Sequence, residues 1–340
     1  MNESGLLIDK VNQHAHHKVI FDTDPGVDDA MALYFACAHP AIDLLGITTT
    51  FGNVTVQQAT TNALYLAHLA GRAMPVAQGA AKPLTKHVEA PPDYIHGADG
   101  LGNLPTRVAC PLAADPRSAA QFIVDMARAQ PGEITLVPVG PLTNVAQALH
   151  IEPQLPQLLK RVVLMGGTVL EPGNVSPVAE ANMWNDPHAA DAVFTAGFNL
   201  TMVGLDVTHK VIVPLTLFEK IAAHHKHPAT DTLLSAVKFY ANFYASRSAD
   251  VARINGCYGH DVLALIYLVN PELFSTLTGC MRVVTEGVTN GQTVLNRRPD
   301  IDYAQSGWGA GMPQSTACMT VDAPSALAVF EKTMLGAWLG

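Results

Sequence analysis

Residues 18–29 read Lys-Val-Ile-Phe-Asp-Thr-Asp-Pro-Gly-Val-Asp-Asp, a short apolar run (Lys18–Thr23) that opens onto a turn and four carboxylates. Asp22 and Asp24 alternate about Thr23, so both leave the strand end on one side. Pro25-Gly26 is a turn signal. Val27–Ala38 then reads as a helix, with Asp28 and Asp29 in its first turn, where the helix dipole favours negative charge. Adjacent helical residues diverge by about 100°. One of the pair therefore faces a cation while the other faces a ligand. Capping a helix needs one or two acids, not four. Four carboxylates this close repel one another unless protons or a cation intervene. With no clustered Cys or His among them, the all-oxygen set points to a hard cation, Ca²⁺ or Mg²⁺.

Outward from this stretch the chain alternates. Ile42–Phe51 is β-rich, and Val56, Ala59, Ala63, Ala67 and Ala70 recur at helical spacing up to Gly71. Pro75–Gly79 is a strand candidate. A helical stripe from Ala119 to Ala127 follows an Asp115-Pro116 start. Ile134–Val139 reads as a strand, Leu142–Leu149 as a helix and Val162–Met165 as a strand. Asp186-Pro187 opens a helix ending near Gly197, and Thr201–Asp206 is a further strand. This order predicts an α/β fold with an open, mostly parallel central sheet flanked by helices. Beyond Val211 the pattern turns mainly helical, with a hairpin at Met281–Leu295 turning at Asn290-Gly291 and a closing helix at Ala323–Leu339. No linker or repeat divides the chain, so one domain over 1–340 is expected, with 1–17 a flexible N-terminal extension.

Composition removes other classes. Of 340 residues, 20 are Lys or Arg and 29 Asp or Glu, a net charge of −9 that does not suit a nucleic-acid binder. No apolar run approaches the roughly 20 residues of a membrane helix. The polar start MNESGLLIDKVNQHAHHKV lacks the apolar segment of a secretory signal. The five cysteines are scattered without a CxxC pair, which suits a reducing, cytoplasmic location. Charged residues are only 14% of the chain, which predicts buried subunit faces and a homo-oligomer.

In open α/β sheets ligands bind beyond the carboxyl ends of strands. Several such ends carry polar groups: Gly140-Pro141-Leu142-Thr143-Asn144, and Met165-Gly166-Gly167 before a loop holding Asn174, Glu180 and Asn182. The segment Tyr258-Gly259-His260-Asp261 opens an apolar helix, and Ile95-His96-Gly97-Ala98-Asp99-Gly100 is a Gly-rich loop. Taken alone, Asp261 reads as a helix cap, and the asparagines as turn residues.

Together, in order and spacing, VIFDTDPGVDDAMAL, ITTTFGNV, IHGADGLG, LVPVGPLTN, VVLMGG, GNVSPVAEAN, NDPHAADAVF, MVGLDVTH and GHDVLA resemble the inosine–uridine-preferring nucleoside hydrolases. The resemblance spans nearly the whole chain. It implies Ca²⁺-dependent hydrolysis of the N-glycosidic bond of ribonucleosides to base and ribose, by homodimers or homotetramers. It implies that Asp24, Asp29, Asp261 and the main-chain carbonyl of Val139 hold the calcium, with Asp24 the general base. It places Asp28, Asn53, Met165, Asn174, Glu180 and Asn182 around the ribose, and His96, Tyr244 and His260 on the base side. His260 is the candidate leaving-group acid, since its ordinary pKa lies near neutrality. The chain departs from the family pattern at Ala181, where many members carry Phe, at Ser248, where many carry Tyr, and at Ala98, where several carry Glu. These departures bear on the base and leave the metal site intact.

Rival readings are a phosphatase of the haloacid-dehalogenase type, suggested by Asp22-Thr23-Asp24 after a strand, and a non-catalytic nucleoside-binding module. Gly26 and the following Asp pair do not fit the first, and the carboxylate cluster has no use in the second. The histidine groups at 14, 16 and 17 and at 224, 225 and 227 read as solvated. Trp184 and Phe194 read as packing, with the alternative that a mobile loop near Glu180 brings Trp184 towards substrate, and Asp186 reads as a helix cap.

Overall fold

The computed structural model describes residues 16–339 apart from 299, 302, 306, 309 and 310. Its elements follow in chain order. The first half comprises β1 (His17–Thr23), α1 (Val27–Ala38), β2 (Ile42–Thr49), α2 (Val56–Leu69), β3 (Val76–Gln78), α3 (Asp93–His96), α4 (Ala119–Ala129), β4 (Ile134–Pro138), α5 (Thr143–Ile151), α6 (Leu155–Leu158) and β5 (Arg161–Met165). Then come α7 (Ala181–Asn185), α8 (Pro187–Thr195), β6 (Leu200–Val203), α9 (Leu205–Thr208), β7 (Ile212–Pro214), α10 (Leu215–His225), α11 (Pro228–Ala245), α12 (Ala249–Ile254), β8 (Gly256–Tyr258) and α13 (Val262–Val269). The chain closes with β9 (Phe274–Gly279), β10 (Met281–Val283), β11 (Thr293–Leu295), β12 (Ser315–Val321) and α14 (Ala323–Met334).

Eight strands form the central sheet in the order β3-β2-β1-β4-β5-β6-β12-β9. All neighbours are parallel except β9, which runs antiparallel to β12 at the edge. Successive strands step outward from β1 in one direction through β3, and in the other from β4 through β6. The order therefore reverses between β1 and β4, and the crevice at their carboxyl ends is where such sheets bind ligands. Register sets β1 and β4 level there: Asp22 lies opposite Pro138, and Val139 donates its N–H to the Asp22 carbonyl at 2.8 Å.

Both sheet faces are covered, so β4 and β6 are buried at every position instead of alternating between core and solvent. One face buries Met31, Phe35, Leu66, Leu263 and Phe330, from α1, α2, α13 and α14. The other buries Phe122, Ile123, Val145 and Phe194, from α4, α5 and α8. Phe194 is thus packing, as expected.

Several boundaries differ from the sequence reading. Residues 1–15 of the expected extension lie outside the described residues, and so does His14, while His17 already opens β1. The helix after Asp115-Pro116 is capped instead by Ser118, whose hydroxyl accepts from Gln121 N. Asp115 is engaged elsewhere, bridging to β3 and holding Arg117 at 2.8 Å. The strand expected over Thr201–Asp206 stops at Val203, because Gly204 turns the chain into α9 with Asp206 inside it. The hairpin forms, but its loop runs from 284 to 292; Gly291, at φ +82°, donates to the Val284 carbonyl from within that loop. Strands β9 and β12 were not expected. FSTLTG and STACMTV are rich in Ser and Thr, and β9 exposes most of its side chains, so neither shows the apolar run of a buried strand. His225 is not free in solvent: its Nε2 meets the Met334 carbonyl at 2.7 Å and its ring packs on Trp338. Among the described residues no helix is long and apolar enough to cross a membrane.

Candidate active site

The carboxyl ends of β1 and β4 open into a cavity of about 1180 Å³. Asp28, Asp261, Val139, Met165, Glu180 and Asn182 line it together. Carboxylate oxygens of Asp28, Asp29 and Asp261 come within 4.8 Å of one another, so two segments more than two hundred residues apart meet. All three are buried. The turn Pro25-Gly26 and the start of α1 deliver the first two, and the start of α13 delivers the third.

Each acid has a distinct setting. Asp29 folds back over its own turn: Oδ1 accepts from Thr23 Oγ1 and the Asp24 N–H, and Oδ2 from the Gly26 N–H and Asn53 Nδ2 at 2.9 and 3.0 Å. Asp24 accepts the Asn53 N–H on Oδ2 at 2.7 Å, while its buried Oδ1 has no partner. Its carboxylate is held between two glycines. A Cβ at Gly52 would collide with Oδ2, and one at Gly140 would lie 2.6 Å from Oδ1. Asp28 accepts Tyr240 OH on Oδ2 at 3.0 Å and leaves Oδ1 buried and unpartnered. Asp22 stands apart from the cluster, contrary to the expectation that it shares a side with Asp24. It stays within β1, where Oδ1 accepts from Thr48 Oγ1 at 2.6 Å and Asn144 Nδ2 at 2.7 Å.

Burial pushes these carboxyls up, since desolvation penalises the charged form. Asp22 and Asp28 rise to about 7, the latter helped by the neighbouring charge of Asp29. Asp24 and Asp261 rise well above the carboxylate range through burial and the charges of neighbouring aspartates. A divalent cation would relieve this. The all-oxygen donors and the orphaned oxygens of Asp24 and Asp28 fit such an ion.

Beside the acids sits a polar floor. Glu180 caps α7, with Oε2 accepting the N–H groups of Gly167, Asn182 and Met183 at 2.8 to 3.2 Å; burial lifts it to about 6. Asn182 donates to the carbonyls of Val139 and Met165 at 2.7 and 3.2 Å. Asn174 lies exposed on the rim, its Oδ1 accepting the Ala181 N–H. Asp206 steadies the loop between, accepting the N–H groups of Val169, Leu170 and Glu171.

The remaining wall is aromatic. Tyr244 OH meets His260 Nε2 at 3.0 Å, and His260 Nδ1 meets Thr208 Oγ1 at 2.8 Å. Tyr240 OH lies 3.4 Å from Tyr244 OH, linking this chain to Asp28. Burial holds His260 well below its ordinary pKa, so it does not stand as an imidazolium, contrary to the reasoning from its free value. His96 lies beside Asp28: its Nδ1 accepts the Val27 N–H at 3.2 Å and its ring packs on Tyr240. Burial lowers it to about 3.

The sequence reading missed Tyr240, Thr208 and the use of Asn144. Tyr240 precedes Tyr244 by four residues, a spacing that puts both on one helix face and was available as a signal. Thr208 and Asn144 carry no such mark. Trp184 lines the cavity, with Lys86 Nζ 4.3 Å from the centre of its ring.

A family model described as inosine-uridine preferring nucleoside hydrolase matches residues 19–328. A probable uridine nucleosidase 1 of Oryza sativa subsp. japonica is 37% identical over 327 residues, covering 95% of this chain and 98% of its own. An inosine-uridine preferring nucleoside hydrolase of Leishmania major is 38% identical over 284 residues, 83% and 88% of the two chains. Among solved structures, the plant nucleoside hydrolase PpNRh1 superposes with a TM-score of 0.86 at 34% identity, covering 94% of this chain and 99% of its own.

The carboxyl values fix a pH dependence. Asp22 and Asp28 bind protons more tightly folded, at about 7, than at the ordinary value of 3.8. Their contribution is full below the unfolded value and is lost as pH rises through the folded one. The melting temperature of chelator-treated protein should therefore fall between about pH 4 and about pH 7, and an added divalent cation should restore it most at the upper end. Scanning fluorimetry across that range checks this; a flat profile contradicts it.

Proposed function

The chain belongs to the inosine-uridine preferring nucleoside hydrolase family and is a nucleoside hydrolase acting on ribonucleosides, and we propose that it does so with a calcium ion held at the Asp24–Asp29–Asp261 cluster. The observation that carries this reading is that buried carboxylate oxygens of Asp28, Asp29 and Asp261 lie within 4.8 Å of one another; Asp24 stands outside that trio but beside it, its N–H donating to Asp29 Oδ1 and its own Oδ1 unpartnered. Asp24, Asp29, Asp261 and the Val139 carbonyl would hold the ion. Asp28, whose Oδ1 has no other partner, faces the ribose hydroxyls together with Asn53. When bound, the ion supplies positive charge that acidifies a water and neutralises the acids.

The residues then divide the work. Cleaving the ribosyl C1′–N bond sends its electron pair to the base and leaves positive charge on the sugar. Buried carboxylates stabilise that oxocarbenium-like centre in a dry site. Water adds to C1′, and Asp24 takes its proton; the unpartnered Oδ1 suits a base held in place by its other oxygen. Met165, Asn174, Glu180 and Asn182 support the sugar. The departing base gains a proton from the chain of His260 and Tyr244, with His96 beside it. A neutral His260 gives up no proton without replacing it: the proton that reaches the base comes from solvent through the Tyr244–His260 contact, and the imidazole ends neutral as it began. The reading extends to one hydrolase domain, supported by a family match across residues 19–328, and to a cytoplasmic homodimer or homotetramer, supported by five unpaired thiols and the low charged fraction.

Asp24→Asn should lower kcat by about a thousandfold, as loss of a general base does, with the melting curve retained. Near-normal turnover in that variant removes Asp24 from its role. Dialysis against a strong chelator should abolish ribose release, and Ca²⁺ should restore it; full activity in metal-free protein would falsify the calcium reading. His260→Ala should slow inosine hydrolysis far more than that of a nitrophenyl riboside, whose leaving group needs no proton. Equal losses on the two substrates count against leaving-group protonation.

A further inference from the structure

We propose that Asp186 is a positioning residue that pins residues 84–96, a strap along one rim of the cavity, and so sets how tightly substrate is held. The inference rests on substrate entering this cavity. Asp186 is fully buried and caps α8, its Oδ1 accepting the Ala189 N–H at 3.1 Å. A cap needs only that oxygen. The other accepts the Leu84 N–H at 2.9 Å and Thr143 Oγ1 at 2.7 Å.

The residues after Leu84 are fastened to the same helices. Thr85 Oγ1 meets His188 Nδ1 at 2.8 Å, and Lys86 Nζ donates to the Trp184 carbonyl at 3.0 Å. Three consecutive residues are thus tied to α7 and α8 or to the aspartate between them. At the far end of the strap, His96 accepts the Val27 N–H beside Asp28. Between these ties, Val88, Glu89, Ala90, Pro91 and Pro92 line the cavity. Two prolines fix φ there, so the span moves with its anchors rather than bending between them. Of the anchors at residues 84–86, Asp186 and Lys86 both bring a charged group, and the Asp186 carboxylate is the fully buried one, where water does not compete for the bond.

Asp186→Asn separates the strap from the cap. Asn caps a helix as well as Asp does, so Ala189 keeps its acceptor. The Thr143 hydroxyl turns to accept from the new amide, but the Leu84 N–H is left facing a donor. Thr143→Val does the converse, leaving the Leu84 tie whole. Both variants are compared with wild type as full-length, Ca²⁺-loaded enzyme, by hydrogen exchange and by kinetics on uridine and inosine. In Asp186→Asn, exchange across residues 84–92 should quicken about tenfold or more, the worth of one such bond, with α8 unchanged. KM should rise about fivefold with kcat within about twofold, the signature of lost uniform binding. Thr143→Val should match wild type in both. Unchanged strap exchange in Asp186→Asn overturns the proposal. So does faster exchange with an unaltered KM, or a KM rise in Thr143→Val equal to that in Asp186→Asn. If wild type releases no ribose from any ribonucleoside, the catalytic reading falls on its own, and exchange in the two variants still decides the anchor.

Discussion

The structure turns on the repulsion among aspartates gathered at the carboxyl ends of β1 and β4. Asp24, Asp28, Asp29 and Asp261 are all buried, and neighbouring negative charge adds to burial in raising Asp24, Asp28 and Asp261. Such an arrangement costs stability in the bare chain and persists only because the surrounding structure over-determines it. Asn53 and the backbone turn hold Asp24 and Asp29, and Tyr240 holds Asp28. The glycines at 52 and 140 leave room for Asp24 alone. A chain that tolerates this strain gains fixed negative groups already in place for positive charge, with no dipoles left to move.

The sheet order makes the gathering possible. Because the strand sequence reverses between β1 and β4, the loops after those two strands diverge and leave a crevice rather than packing together. The turn after β1 and the Val139-Gly140 backbone after β4 border it, and α13 closes it with Asp261. Beneath it, Asn144 ties α5 to Asp22 of β1, to the Thr49 carbonyl of β2 and to the Ala80 N–H after β3. The floor is thus laced from four elements before any ligand arrives.

Much of this was legible in the residues. Lys18–Asp29 announces strand, turn and helix in one stretch, and α1 begins at Val27 as that spacing requires. The buried parallel strands declare themselves by near-continuous apolar runs such as Val162–Met165. By contrast, β9 and β12 are polar and small, so their place in the sheet follows from tertiary pairing and not from local pattern. In the site, Asp28 and Asp29 were marked by their place in a first helical turn. That Asp261 joins them depends on a fold spanning the whole chain. The setting of His260 was hidden for another reason: a side chain's pKa follows its burial, and no neighbour in sequence reports the Thr208 and Tyr244 that enclose it. Asp186 shows the same limit, since its cap is local and its second oxygen serves residues far away in sequence.

The run of hydroxyls from Tyr240 through Tyr244 to the Thr208 partner of His260 has a final implication. Each of these groups gives or takes a hydrogen bond according to how its O–H is turned, and the neutral imidazole between them exists as either of two tautomers. A surface built this way has no fixed polarity. It re-presents itself to whichever heteroatom approaches, so whatever lies against that wall is sorted by contour and stacking instead of by a donor–acceptor code.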